Sequence, residues 1–133
     1  MLKSMRPVAI SALTITACAA LFVVTERPDA QAAPAANAPP AAFSACAACH
    51  SVVAGQKRLG PNLSGVAGRR AGTLNGYAYS PALASSGLTW DAATLNRWIA
   101  NPRATVPGNK MPYAGMQDAA KRQQIVAYLM TLK

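Results

Sequence analysis

The stretch Cys46-Ala47-Ala48-Cys49-His50 decides what kind of fold the rest of this 133-residue chain can form. It places two thiols three residues apart, and the residue that follows them is the only histidine of the chain. Thiols at this spacing can each form a thioether with one vinyl group of the same porphyrin, and the adjacent imidazole can then bind the iron. The pentapeptide therefore predicts a haem attached covalently through Cys46 and Cys49, with His50 as an iron ligand.

Two other interpretations of the cysteine pair are weaker. A redox-active disulfide needs only Cys46 and Cys49 and leaves His50 unexplained, and the sequence shows no strand–helix context of the kind that usually accompanies it. A structural zinc site needs four ligands, whereas the chain beyond its N-terminal segment offers only these two thiols and one imidazole.

A methionine thioether is a common second ligand of a haem iron that carries a histidine on its other side. Met130 follows the apolar pattern of a terminal helix and is most simply a core residue. Met116 lies just before that helix, whereas Met111 lies in a loop between Pro107 and Pro112. A thioether is a weak ligand that needs a loop already stiff, and proline fixes φ, so Met111 is the predicted ligand and Met116 the alternative.

Residues 1–32 have the features of a targeting segment, with a short basic start followed by a long uncharged stretch. Three interpretations stay open. The first is a signal peptide cleaved after Ala30-Gln31-Ala32, the second an uncleaved membrane anchor over 7–24, and the third a lipid attachment at Cys18. Each delivers the rest of the chain to the periplasm, either free or tethered to the periplasmic face of the inner membrane.

The remaining sequence predicts one small all-α domain. Residues 33–41 are rich in Ala and Pro and form a linker, so the domain spans 42–133. A domain of this size with few large apolar side chains buries little core, and a bulky apolar cofactor compensates for this. All nine glycines fall between Gly55 and Gly115, which predicts long loops of the kind that wrap a macrocycle.

Helix signals are few and clear. A short helix is expected over 41–49, and a helical turn near Ser80-Pro81. Thr89 or Asp91 can cap a second helix that ends at Asn101-Pro102. The last helix is expected over 118–132.

From Ala33 onward, ten Lys and Arg residues outnumber two Asp residues, which gives a net charge of +8. Such a field steers a small protein toward acidic partners. Nucleic acid is excluded as a partner because no basic helix or nucleic-acid-binding motif is recognisable. The candidate docking cations are Lys57, Arg58, Arg70, Arg103 and Lys110.

Several ordered segments extend the pattern beyond the pentapeptide, and together they resemble the class I cytochromes c of the mitochondrial and small bacterial type. They are Gly60-Pro61-Asn62-Leu63-Ser64-Gly65, Gly68-Arg69, Tyr77-Ala78-Tyr79-Ser80, Gly87-Leu88-Thr89-Trp90, Pro107-Gly108-Asn109-Lys110-Met111 and Ile125-Val126-Ala127-Tyr128-Leu129. The resemblance implies three main helices and loops wrapped around one haem c, in a monomer that carries single electrons and is not an enzyme. It implies partners with acidic docking faces, a quinol–cytochrome c reductase as donor and a terminal oxidase or other acceptor.

The resemblance also implies roles for single residues. The Pro61 carbonyl would accept a hydrogen bond from His50. A buried haem propionate would be held by Arg69, Tyr79 and Trp90.

The sequence departs from the family at several positions. Trp98 stands where the family often has a tyrosine that bonds the ligand sulfur. Asn109 replaces a common threonine, and its amide could still donate to the second propionate. Tyr113 replaces a common phenylalanine at the exposed haem edge. Phe43 lies three residues before Cys46 instead of four, which predicts looser packing of the first helix against Tyr128.

Two alternative functions follow from what the resemblance leaves open. The chain could serve as the haem-containing subunit of a larger oxidoreductase, an arrangement that an uncleaved anchor over 7–24 would favour. If Met111 does not bind the iron, an open position would suit a peroxidase or a gas-binding protein. No acid–base pair for a distal pocket is visible, because His50 is the only histidine.

Overall fold

The structure, a computed structural model, describes residues 38–132, and these residues are helical with long connecting loops. The only β-type pairing among them is an isolated antiparallel bridge between Arg70 and Thr89, so the predicted all-α class is confirmed. The helices are a 3₁₀ turn Ala41–Phe43, α1 Ser44–Ala47, α2 Pro81–Ala84, α3 Ala92–Ala100, α4 Pro102–Thr105 and α5 Ala119–Thr131.

The two longest helices, α3 and α5, pack against each other and begin at aspartate caps. The Asp91 side chain accepts a hydrogen bond from the Thr94 N–H at 2.7 Å, and Asp118 accepts one from the Lys121 N–H at 3.0 Å. Each carboxylate satisfies a donor that would lack a partner within its own helix. The buried faces carry Thr94, Leu95, Trp98 and Ile99 on α3, and Ile125, Val126, Tyr128 and Leu129 on α5.

The two short helices α2 and α4 each start with a polar cap and a proline at the first turn. Ser80 accepts from the Leu83 N–H at 3.2 Å, which confirms the helical turn expected there. The sequence did not predict α4. Asn101 ends α3 and also caps α4, because its side chain accepts from the Ala104 N–H at 3.0 Å.

The first helical segment is shorter than the span 41–49 that the sequence predicts. It consists of the 3₁₀ turn and the single turn of α1, and the chain leaves the helix before Cys49. Phe43 is nevertheless buried, and its ring lies edge-on to that of Tyr128 with the centroids 5.0 Å apart. This contact joins the start of the described chain to α5.

A loop-rich segment fills the sequence between α1 and α2, and it is pinned to the stretch before α3. The Gly68 N–H donates to the Trp90 carbonyl at 3.0 Å, and the Trp90 N–H donates to the Arg69 carbonyl at 2.9 Å. The Ala71 N–H donates to the Leu88 carbonyl at 2.9 Å. These bonds bring Arg69 and Trp90 side by side although they are far apart in sequence.

Within residues 38–132, no helix combines the length and the apolar character needed to cross a bilayer. The predicted targeting segment 1–32, with its possible anchor over 7–24, lies outside the described residues, as does most of the linker 33–41. The domain boundary at residue 42 stays a prediction.

Candidate haem site

The cysteine pair lies on a tight turn at the end of α1. The Cys49 and His50 N–H groups both donate to the Cys46 carbonyl, at 3.1 and 2.9 Å. Both thiols are free and half-buried. Burial raises the pKa of the Cys46 thiol. This turn keeps the two sulfur atoms and the imidazole within one short segment, as double attachment to a single macrocycle requires.

The His50 imidazole is held from two sides. Its Nδ1 lies 2.7 Å from the Pro61 carbonyl oxygen, which fixes the proton on Nδ1 and leaves the lone pair of Nε2 for a metal. A Cβ at Gly60 would lie 2.6 Å from the His50 Cε1, so only glycine lets the ring lie where it does. Burial lowers the pKa of His50 and the Pro61 carbonyl opposes part of that shift, so the ring is neutral at neutral pH.

Two of the three predicted propionate residues, Arg69 and Trp90, are adjacent, and the charge of Arg69 acts on the third, Tyr79. Arg69 and Trp90 share a backbone hydrogen bond, and Trp90 packs against Trp98 with ring centroids 5.3 Å apart. The Arg69 guanidinium lies close enough to Tyr79 to oppose the rise in the Tyr79 pKa that burial causes. Arg69 already donates from its two terminal nitrogens to the carbonyls of Asn62 and Ser64, each at 2.9 Å. A guanidinium carries five N–H donors, so three stay available.

The Met111 loop contributes two side chains, Met111 and Tyr113, that pack against the core. Tyr113, two residues further on, lies near Cys46, and the Cys46 thiol adds to the rise in the Tyr113 pKa that burial causes first. Met111 itself is half-buried and packs against the core. Its N–H donates to the Asn109 side-chain oxygen at 3.0 Å.

Met116, the alternative ligand, lies in a backbone that is bound to α3. Its N–H donates to the Ile99 carbonyl at 2.9 Å, and Arg122 donates to the Met116 carbonyl at 2.7 Å. Gly115 packs directly on α3, since a Cβ there would lie 2.1 Å from the Ala100 carbonyl oxygen. Met111 has no comparable backbone bond to α3 among the described residues.

Two site features were not predicted from the sequence. The steric role of Gly60 could have been inferred from the sequence. Gly60 immediately precedes Pro61, whose carbonyl was expected to accept a hydrogen bond from His50, so it had to lie close to the same ring. The second feature is a link across three loops. The Lys110 ammonium donates to the Ala78 carbonyl and lies 5.0 Å from the ring centroid of Tyr77, whose hydroxyl donates to the Leu59 carbonyl at 3.4 Å. No local pattern announces a contact between residues so far apart in sequence.

The comparisons with known proteins agree with this geometry. The sequence model of the family described as Cytochrome c matches residues 36–133. The chain belongs to the cytochrome c family. Cytochrome c2 iso-2 of Magnetospirillum fulvum is 52% identical over 97 residues, which cover 73% of this chain and 100% of the relative.

Two further relatives extend the similarity. Cytochrome c2 of Rhodoblastus acidophilus is 49% identical over 92 residues, 68% of this chain and 86% of the relative. The solved structure of cytochrome cH from Methylobacterium extorquens shares 48% identity and superposes with a TM-score of 0.64, covering 68% of this chain and 91% of that one. The small cytochrome c fold expected from the sequence is thus confirmed.

As a cytochrome c, the chain carries one covalent haem c with its iron, and Cys46 and Cys49 have the spacing of the attachment motif. The residues present fit this group. Two free thiols, an imidazole with one nitrogen engaged and a glycine cradle under that imidazole meet in one segment. The chain is an electron-transfer protein that works with redox partners and is not an enzyme.

Proposed function

We propose that this cytochrome c is a periplasmic one-electron carrier whose haem iron is bound axially by His50 and Met111. The observation that carries the proposal is the fixed tautomer of His50. Because Nδ1 is engaged by the Pro61 carbonyl, only Nε2 is available, and the ring cannot turn without leaving the surface of Gly60. A ligand fixed in this way resists displacement through both oxidation states.

The assignment of Met111 rests on its loop. Met111 and Tyr113 both pack against the buried core, and the Asn109 side chain holds the Met111 amide. Pro112 follows directly and restricts the Met111 backbone. Met116, in contrast, is bound through its backbone to the end of α3.

Haem c supplies reversible one-electron chemistry, and the protein sets its potential through the ligands and their surroundings. The chain contributes a neutral imidazole, a thioether and a largely apolar core built around Trp90, Trp98 and Leu95. Low local dielectric disfavours the additional charge of the ferric state and so raises the potential. His50 and Met111 would together hold the iron, and ligation by both would leave no iron position for a substrate.

Docking is assigned to two of the five candidate cations. Arg58 donates from Nη1 to the Ala47 carbonyl at 3.2 Å, which places its guanidinium over the attachment segment. Arg103 shares a surface depression with Tyr113, the residue near Cys46. Lys110 is engaged by Tyr77 and Ala78 and is less free to meet a partner. We infer that Arg58 and Arg103 flank the exposed edge of the site and meet acidic surfaces of a quinol–cytochrome c reductase and of a terminal oxidase or other acceptor.

Export is part of the same proposal, because attachment of this haem takes place outside the cytoplasm. Residues 1–32 would direct the chain across the membrane as a cleaved signal, as an anchor over 7–24 that keeps the domain at the periplasmic face, or through a lipid attached at Cys18. Mass spectrometry of the mature protein, purified from the periplasm and from the membrane fraction, would distinguish the three.

Optical spectroscopy of the holoprotein tests the ligands. We expect a low-spin ferric spectrum with the weak long-wavelength band of iron–sulfur ligation, lost in Met111→Ala and retained in the control Met116→Ala. A high-spin spectrum, or a band indifferent to Met111 and lost with Met116, would overturn the assignment. A high-spin result would direct attention to peroxidase or gas-binding activity.

A further inference from the structure

We propose that Asn109 is a positioning residue that holds Met111 at the iron, by fastening the Met111 amide to α4 and its C-cap. This inference rests on the proposed ligation by Met111. It assigns to Asn109 a task different from the one that family resemblance suggests.

The Asn109 side chain makes three hydrogen bonds, all to backbone. Its Nδ2 donates to the Pro102 carbonyl at 2.9 Å and to the Val106 carbonyl at 2.8 Å. Its Oδ1 accepts from the Met111 N–H at 3.0 Å. Both amide hydrogens are therefore engaged by α4 and its C-cap, and in this arrangement neither is left to donate to the second propionate.

The carbonyls that Asn109 binds belong to a rigid part of the molecule. Pro102 is fully buried and Val106 is 6% exposed. The Val106 N–H donates to the Pro102 carbonyl at 3.0 Å, and Asn101 caps the start of the same helix. Because the Asn109 side chain is hydrogen-bonded to both carbonyls, α4 fixes its position. The Asn109 oxygen in turn fixes the position of the Met111 amide.

The loop between α4 and Met111 is held by backbone hydrogen bonds only as far as Asn109. Residues Val106–Asn109 form a β-turn in which the Asn109 N–H donates to the Val106 carbonyl at 3.1 Å and Gly108 has a φ of 83°. Proline at the second position and a left-handed glycine at the third are typical of a type II turn. The turn restrains the backbone from Val106 to Asn109, and the hydrogen bond from the Met111 N–H to the Asn109 side chain restrains the backbone of Met111.

Threonine, which is common at this position in the family, cannot replace the whole arrangement. A hydroxyl has one hydrogen to donate, whereas the amide supplies two donors and one acceptor. Asn109→Thr therefore loses at least one of the bonds to Pro102 and Val106.

The test uses the ferric holoprotein and imidazole as a competing iron ligand. A loosened loop releases the Met111 sulfur more often, so the apparent affinity for imidazole rises by the same factor. We expect a rise on the order of tenfold in Asn109→Ala, the factor that corresponds to about one net hydrogen bond. Asn109→Asp keeps an acceptor for Met111 but loses both donors, and it should show a similar rise. Asn109→Thr should lie between these variants and the parent protein.

Two controls separate positioning from general destabilisation. Asn75→Ala removes an exposed amide from another loop and should leave the imidazole affinity within about twofold of the parent. Phe43→Ala weakens the contact with Tyr128, and so loosens the fold as a whole without touching the Met111 loop. Hydrogen exchange of the Met111 amide should accelerate in Asn109→Ala and not in Phe43→Ala at matched stability.

The outcomes distinguish a failure of the positioning role of Asn109 from a failure of Met111 ligation. If Asn109→Ala behaves like Asn75→Ala, or if Phe43→Ala raises the imidazole affinity as much, the positioning role is overturned while Met111 ligation stands. If the parent protein lacks the long-wavelength band and Met111→Ala binds imidazole no more tightly, Met111 is not the ligand. In that case both proposals are overturned.

Discussion

At the scale of single residues, the position of His50 depends on the absence of a side chain at Gly60. Its backbone does not adopt the left-handed conformation that usually accounts for glycine, so conformational freedom is not the reason for it. The reason is the His50 ring, which would collide with a Cβ at 2.6 Å and 2.8 Å from its Cε1 and Nδ1 atoms. Pro61, the next residue, then binds the same ring.

Gly60→Ala is accordingly expected to destabilise the holoprotein by about 1–3 kcal/mol, the usual cost of forcing extra atoms into a packed site. The displaced imidazole should also shift the Soret and long-wavelength bands. Urea unfolding and optical spectra check both effects. Gly55→Asn is the matched control, since nothing lies within 4 Å of a Cβ there and asparagine tolerates its φ of 76°. Equal unfolding curves for the two variants would contradict the steric explanation.

At the scale of the elements, α3 and α5 each begin at an aspartate whose carboxylate binds the first turn. The Asp91 pKa is lowered chiefly by hydrogen bonds from Thr94, and the Asp118 pKa by the hydrogen bond from the Lys121 N–H. A carboxylate with a lowered pKa in the folded state stabilises the fold above its ordinary pKa. That contribution is lost as the pH falls through the lowered pKa.

We therefore expect the free energy of unfolding to fall in acid, below the ordinary aspartate pKa of about 3.9. Asparagine caps a helix as well as aspartate but does not titrate, so the double variant Asp91→Asn, Asp118→Asn should lose less stability over the same range. Urea unfolding of both holoproteins across a pH series measures the difference. The pH slopes would be equal if the caps did not contribute. Protonation at the haem ligands affects both proteins alike and cancels.

The sequence predicted those elements whose signals are local. The helices that start at Ser80 and Asp118 were expected there, and of the two caps considered for α3, Thr89 and Asp91, the structure uses Asp91. The helix α4 was not predicted because Asn101-Pro102 also fits the end of α3, although a cap followed by proline at the first turn is equally a start signal.

Within the site, the pentapeptide and the His50–Pro61 contact followed from spacing and resemblance. The threefold bonding of Asn109 could not be predicted, because it depends on where α4 places two backbone carbonyls. The same holds for the contact of Lys110 with Ala78, which joins residues 32 apart in sequence.

At the scale of the whole molecule, the distribution of surface charge depends on where the two aspartates lie. Asp91 and Asp118 are the only acidic residues in the described part of the chain, and both face helix N-termini. Asp118 also lies 3.6 Å from the Lys121 ammonium. The remaining surface is basic or neutral, so long-range attraction to an acidic partner meets no opposing patch.

The rate of electron transfer from a quinol–cytochrome c reductase should depend on the cations near the attachment segment. We expect Arg58→Gln combined with Arg103→Gln to lower the second-order rate constant about tenfold at low ionic strength, and the difference should vanish at about 0.5 M salt. Lys121→Gln removes a charge from α5, where Asp118 already accompanies it, and should change the rate little. Stopped-flow kinetics over a salt series measure all three proteins. Equal losses in the double variant and in Lys121→Gln would contradict a localised docking face.

Both carboxylates lie at helix caps, and the excess of cations elsewhere also affects the encounter of two copies of the molecule. A net charge of +8 from Ala33 onward opposes the approach of two copies, and most strongly where the cations gather. We therefore expect electron self-exchange between copies, which carries no net current, to be slower than exchange with an acidic donor or acceptor. The same repulsion is expected to oppose association of one carrier with another.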